Sequence, residues 1–308
     1  MTRHPRRASE RASASRKAKL SSTNRTESTR VLPMNGHGWY RGTHPVFRRA
    51  GDACAQRSAL CCARFDRGTG RAATQRVRVS PHPRWVADLN ATLEPIQEAI
   101  LATPVIEDAA ENRLVQGKIQ DFLVAFYPII RDFPAWLQVL LDRSPDHGRA
   151  FFEDNIRVER RHDAMWRAMG DGFGVPRERF HSPESPVPEV EVFHEYLTAA
   201  CHDAPFGRAV SATNYAVEGV AQKISEKALR GLSKNEKIGP KGRWWLEEHA
   251  KYDDEHPVQA LEIVKRCVEG GESPEAVTAA ACRSLALMRE AMIAAYGNGA
   301  GRAHRRSG

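Results

Sequence analysis

The chain has 308 residues, 41% of them hydrophobic, enough for one large domain or two small ones with a sizeable core. No stretch approaches the ~18 consecutive apolar residues of a membrane span, so no membrane partner is expected. The net charge of +8 is uneven: residues 1–84 carry 19 Lys and Arg against 4 Asp and Glu, and the remainder carries 27 against 34. The basicity belongs to a tail and is no argument that the domain binds nucleic acid.

Residues 1–84 lack sustained apolar periodicity and are rich in Arg, Ser, Thr and Gly, the composition of a disordered basic tail. Such a segment fits a dispensable extension, an organelle transit peptide or a basic arm for an anionic partner. Cys54, Cys61 and Cys62 lie in it; Cys201, Cys267 and Cys282 are scattered through the rest. With no C-x-x-C pair, zinc-finger and thioredoxin chemistry have no support, and a reducing, cytoplasmic setting is expected.

From Trp85 apolar residues recur at helical spacing. Leu89, Leu93, Ile96 and Ile100 mark a first helix, and Pro104 separates it from the next. Leu114, Ile119, Phe122 and Phe126 line a second, Pro134 breaks the pattern, and Trp136 to Leu140 form a short third. One long helix is expected over 148–169 and another over 189–200 after a Pro-rich connection. Pro205 opens a helix running past Glu218 to about Leu229, and residues 231–242 form a polar loop. A long helix over 243–267 and a last one over 273–296 follow, before a basic tail at 299–308. The pattern predicts an all-α bundle of about seven helices over residues 85–298.

Three stretches place ionisable residues where a buried face would otherwise be apolar. Glu159 and His162, three apart in E-R-R-H, are neighbours on one helical face. Glu218 sits among Ala216, Val217, Val220 and Ala221, an unfavourable setting for a carboxylate without a paired charge or cation. His249, Asp253 and His256 follow the i, i+4, i+7 repeat of a single helical stripe, continued by Trp245, Ala260 and Ile263. Three imidazoles and three carboxylates without thiolate suit iron, or manganese, better than structural zinc. Six ligands are too many for one catalytic ion with open positions and a natural number for two. Trp166, Tyr215, Trp245 and Tyr252 are candidate pocket walls, and Arg157, Arg160 and Arg161 candidate carboxylate partners.

In these motifs the chain resembles the haem-oxygenase-like di-iron oxidases and oxygenases, relatives of the thiaminase-II and pyrroloquinoline-quinone-synthase folds. The pattern is Glu159-x-x-His162, a lone Glu218, and His249-x-x-x-Asp253-x-x-His256. Some members take the first carboxylate seven positions before the His; here that position is Asn155, so Glu159 must serve. The resemblance implies a haem-oxygenase-like bundle, two iron ions on these six residues, dioxygen and an amino-acid- or fatty-acid-like small molecule as substrates. It leaves room for an external electron donor and a homodimer.

Two other readings compete. A metal-free thiaminase-II-like hydrolase or cofactor-biosynthesis or binding protein of the same fold would need another group in the pocket; Cys201 is the candidate nucleophile. A ferritin-like di-iron protein would use an early Glu such as Glu107 or Glu111, with Glu191-x-x-His194 as a second pair. Pro257, directly after His256, cannot bond to the carbonyl of Asp253. The helix is therefore expected to be weakened at that ligand, with Asp253 joining only when a second ion binds.

Overall fold

In a computed structural model of the chain, the described residues are 79–181, 186–251 and 255–297. The basic segment up to residue 78, the tail from residue 298, and Tyr252 and Asp253 lie outside them. Among the described residues there are helices and no strand. They are α1 (Arg84–Leu101), α2 (Pro104–Ala110), α3 (Gln116–Arg143), α4 (Asp146–Glu159), α5 (His162–Gly172), α6 (Pro188–Asp203), α7 (Phe206–Val210), α8 (Gly219–Leu232), α9 (Gly239–Lys251), α10 (Glu255–Glu269) and α11 (Pro274–Gly297). A 3-10 turn occupies Arg177–Phe180, and a π-helical segment, Ser211–Glu218, joins α7 to α8.

The all-α expectation holds, but Pro104–Ala110 forms a helix of its own ahead of the expected second one, and the boundaries differ in four further places. First, α3 runs through both Pro128 and Pro134 instead of ending at the latter. An interior proline costs a helix ~3 kcal/mol. Phe122, Phe126, Ile129, Phe133, Trp136, Leu137 and Leu140 are all buried along α3, each contributing ~1.5–3 kcal/mol by leaving water, so packing outweighs the breaker. Second, the helix expected over 148–169 is two helices, α4 and α5, turning at Arg160 and Arg161. Third, the expected helix over 205–229 is continuous but π-wound in its middle. Fourth, α8 and α9 extend into the expected loop, leaving 233–238 between them.

α11 packs against α1, α3, α6 and the π-helical segment, while α5 packs on α9 and the π-helical segment on α10. These last two contacts join the stretches that carry the ionisable residues. The α5–α9 crossing is tight because glycines meet there: a Cβ on Gly172 would lie 2.7 Å from the Gly242 Cα and 2.9 Å from the Ile238 carbonyl oxygen. No helix among the described residues is long and apolar enough to cross a membrane.

The chain ahead of α1 is tied to α10. Ser80 Oγ donates to Glu262 Oε2 (2.7 Å), and Lys265 Nζ donates to the Ser80 carbonyl (2.8 Å) and to Glu262 Oε1 (2.7 Å). The Glu262 and Lys265 side chains are buried, so their charges are matched within the protein. A chain beginning at Val79 is expected to unfold cooperatively at the full-length temperature. One beginning at Trp85 loses the Ser80 bonds and ~1–3 kcal/mol. Thermal melts of the two truncations check this; equal midpoints would show that the clasp adds nothing.

Candidate metal centre

Glu159 ends α4 and His162 begins α5. The turn between them keeps helical dihedrals at Arg160 and Arg161, and the Arg161 N–H bonds to the Val158 carbonyl (3.0 Å). Both side chains therefore remain on the inner side, with His162 Nδ1 2.6 Å from Glu159 Oε2 and both residues buried. Arg157, Arg160 and Arg161 point outward, Arg157 pairing with Asp154. They are thus surface residues and not partners of a buried carboxylate.

Glu218 is the last residue of the π-helical segment. Its Oε1 accepts from Asn214 Nδ2 (2.7 Å) and from Asn155 Nδ2 of α4 (2.9 Å). Oε2 faces His256 Nδ1 of α10 at 3.3 Å. Glu159 and Glu218 are both 7% exposed, and among the described residues neither is paired with a Lys or Arg. Buried carboxylates in that condition need another source of positive charge.

His249, on α9, lies with its ring centroid 4.5 Å from that of His162 and 3.9 Å from that of Trp245. Its Nδ1 is 2.7 Å from the Trp245 carbonyl oxygen. A carbonyl only accepts, so Nδ1 carries the proton, and Nε2 of the neutral ring keeps a lone pair. Burial, reinforced by the His162 charge, lowers His249 to about 4, so the ring is neutral near pH 7. For His162 burial pushes down, but the charge and hydrogen bond of Glu159 and the charge of Glu218 outweigh it and hold the ring above its ordinary value.

The structure thus brings Glu159, His162, Glu218, His249 and His256 into one electrostatically coupled group. Asp253 lies outside the described residues, as does its carbonyl, the group on which the expectation about Pro257 rests. Among the described residues no three His, Cys, Asp or Glu side chains converge closely enough to hold a metal ion as they stand. The carboxylates and imidazoles instead satisfy one another and the two asparagines. The donor set still fits iron: oxygen and nitrogen ligands, two carboxylates without Lys or Arg, and an imidazole in the tautomer that leaves Nε2 free.

A cavity of about 120 Å³ touches Glu159, His162, Glu218 and His249, and is otherwise walled by apolar side chains such as Phe122, Phe126, Phe193 and Met288. Trp166 and Trp245 line it as expected, their rings 5.2 Å apart and nearly perpendicular. Tyr215 does not line it; its hydroxyl meets Asn90. Cys201 does not line it either, and burial pushes that thiol up to about 12. The early acids are elsewhere: Glu107 pairs with Lys227, and Glu111 pairs with Arg113 at the surface (3.1 Å). His194 pairs with Asp132 (2.8 Å), not with the centre.

Residues 120–289, a segment holding every candidate ligand, match the family model described as iron-containing redox enzyme. The chain belongs to that family. Solved structures agree on the fold. A TenA homologue from Pseudomonas syringae pv. tomato str. DC3000 is 23% identical at a TM-score of 0.65, over 71% of this chain and 95% of that one. A domain of unknown function with a heme oxygenase-like fold from Shewanella denitrificans OS217 is 17% identical at 0.58, over 69% and 92%. A TenA homologue from Pyrococcus furiosus is 15% identical at 0.55, over 68% and 99%. The haem-oxygenase-like all-α fold is therefore shared; at these identities the likeness is one of fold. No curated protein matches.

From the sequence, Asn155 is noted only as standing where some family members carry their first carboxylate, and Asn214 is not noted. A signal was present: Asn214 lies four residues before Glu218, and Asn155 four before Glu159, on stripes that are otherwise apolar.

Proposed function

We propose that this family member is a non-haem di-iron oxidase or oxygenase that activates dioxygen to oxidise a small organic substrate. The reading rests on the electrostatic coupling of Glu159, His162, Glu218, His249 and His256, the first four of which touch an apolar cavity; the sequence pattern supplies Asp253 as the sixth ligand. When bound, two ferrous ions supply the electrons and open coordination positions for dioxygen chemistry.

The chain's own residues account for the remaining requirements. Glu159 and Glu218 would bring negative charge to the ions. His249 is held as a neutral donor by the Trp245 carbonyl. His162 must surrender the proton it shares with Glu159 before its Nδ1 can accept a cation. Apart from Glu159, His162, Glu218, His249 and the two indoles, the walls are apolar side chains that exclude water. That favours the fatty-acid-like substrate over the amino-acid-like one, because an apolar wall rewards a hydrocarbon and leaves an ammonium unpaired. The hydrolase reading is less favoured because its candidate nucleophile, Cys201, is away from the cavity and protonated.

Protein titrated anaerobically with ferrous iron is expected to bind about two ions per chain. The affinity is expected to rise with pH, because the cation displaces the His162 proton and that ring is held above its ordinary value. Equilibrium dialysis with iron analysis at two pH values checks both. No iron bound, or zinc alone, would remove the reading.

A further inference from the structure

Two asparagine side chains hold Glu218, and they are not equivalent. Both donate an amide N–H to Oε1, Asn214 at 2.7 Å and Asn155 at 2.9 Å. Asn214 has its own carbonyl oxygen satisfied by the Thr213 hydroxyl (3.1 Å). Asn155 does not: its Oδ1 is buried with no hydrogen-bond partner among the described residues, on a residue with 0% exposure. Buried carbonyl groups are seldom left in that state, because nothing replaces the water they gave up.

The position of this oxygen is constrained by covalent chemistry. It shares its carbon with the nitrogen bonded to Glu218, so it belongs to the same polar cluster. Asn155 also lies one helical turn before Glu159, on the stripe that continues through Phe151. The amide cannot usefully turn over, since that would set Oδ1 against the Glu218 carboxylate and lose a hydrogen bond. An amide carbonyl is a neutral oxygen donor of the kind that hard divalent ions accept.

We propose that Asn155 is a ligand of this centre: its amide N–H holds Glu218 Oε1, and its carbonyl oxygen binds a divalent cation beside Glu218. The proposal rests on the metal-centre reading above. It adds a seventh, uncharged donor at the position seven before His162, where some family members carry their first carboxylate and this chain carries an amide. It also divides the labour between the asparagines, since Asn214 positions the carboxylate and Asn155 both positions it and binds metal.

The test is a manganous titration of the full-length chain, with free ion counted by electron paramagnetic resonance and bound ion read from its own signal. Wild type is expected to bind about two ions per chain, giving the signal of a magnetically coupled pair. Asn155→Ala is expected to weaken one of them by at least ~10-fold and to leave an isolated-ion signal from the other. Asn155→Asp, of nearly the same size and with an added charge, is expected to bind that ion at least as tightly as wild type. Asn214→Ala is expected to keep both ions, more weakly. Wild-type binding of both ions by Asn155→Ala overturns the proposal and leaves the metal centre standing. An equal loss of both ions also overturns it, because that is the mark of a packing role. If thermal melts show that Asn155→Ala does not fold, Asn155→Asp decides, and weaker binding than wild type counts against the proposal. A wild type that binds no manganese or iron sinks the metal-centre reading itself, and this proposal with it.

Discussion

Replacement of His249 by alanine is expected to lower oxygen consumption by the ferrous protein by more than the ~100-fold that losing a ligand's supporting partner costs. Glu111→Ala is expected to leave it nearly unchanged. His249 is in ring contact with His162 and presents a neutral Nε2, its other nitrogen being committed to the Trp245 carbonyl. Removing it takes away one nitrogen donor, and the neighbouring Trp245 indole has no lone pair to offer in its place. Glu111 is exposed and pairs with Arg113, so its loss falls within the ~0.5 kcal/mol typical of surface changes. The measurement is oxygen uptake with iron content determined on the same samples. Normal uptake by His249→Ala together with loss in Glu111→Ala would favour a ferritin-like site and reverse the ligand assignment.

Gly172→Ala is expected to be felt at the centre although the residue lies about 15 Å along α5 from His162, at 1.5 Å per residue. An alanine is ordinarily ~1 kcal/mol better than glycine in a helix. Here its methyl would sit 2.7 Å from the Gly242 Cα and 2.9 Å from the Ile238 carbonyl, backbone atoms that cannot rotate aside. The helices must separate, at a cost of ~1–3 kcal/mol for overpacking. Because α5 carries His162 and α9 carries His249, the same separation pulls at the 4.5 Å ring contact between them. Lower iron affinity should therefore accompany a midpoint lowered by ~2–4 °C per kcal/mol. Gly117→Ala is the control, since nothing lies within 4 Å of that position. If the two variants melt alike and bind iron alike, the glycine crossing does not set the geometry of the centre.

The all-α class was legible in the chain because apolar residues at 3.6-residue spacing report which face must be buried, whatever it packs against. The proximity of Glu159 and His162 was legible for a similar reason. A spacing of three brings side chains together in a continuous helix and in the tight turn that is present instead, so the pairing survives an error about the element. Likewise Trp245 and His249, four apart, meet as one stripe predicts.

Other features were decided by how the segments pack. Pro134 reads as a breaker, and only the packing of the buried face of α3 decides that the helix continues. Nothing in S-A-T-N-Y-A-V-E announces a π-helical segment, which packs against α10 and α11. The asparagines on Glu218 come from α4 and the π-helical segment, 59 residues apart in the numbering from Asn155 to Asn214, and their convergence is a property of helix packing. The glycines at 172 and 242 look like weak helix positions until α5 and α9 are brought together. Periodicity along one chain determines what each segment must bury. Which buried polar groups then meet depends on the angles and distances at which segments cross, and those are set by side-chain volume at the crossing points.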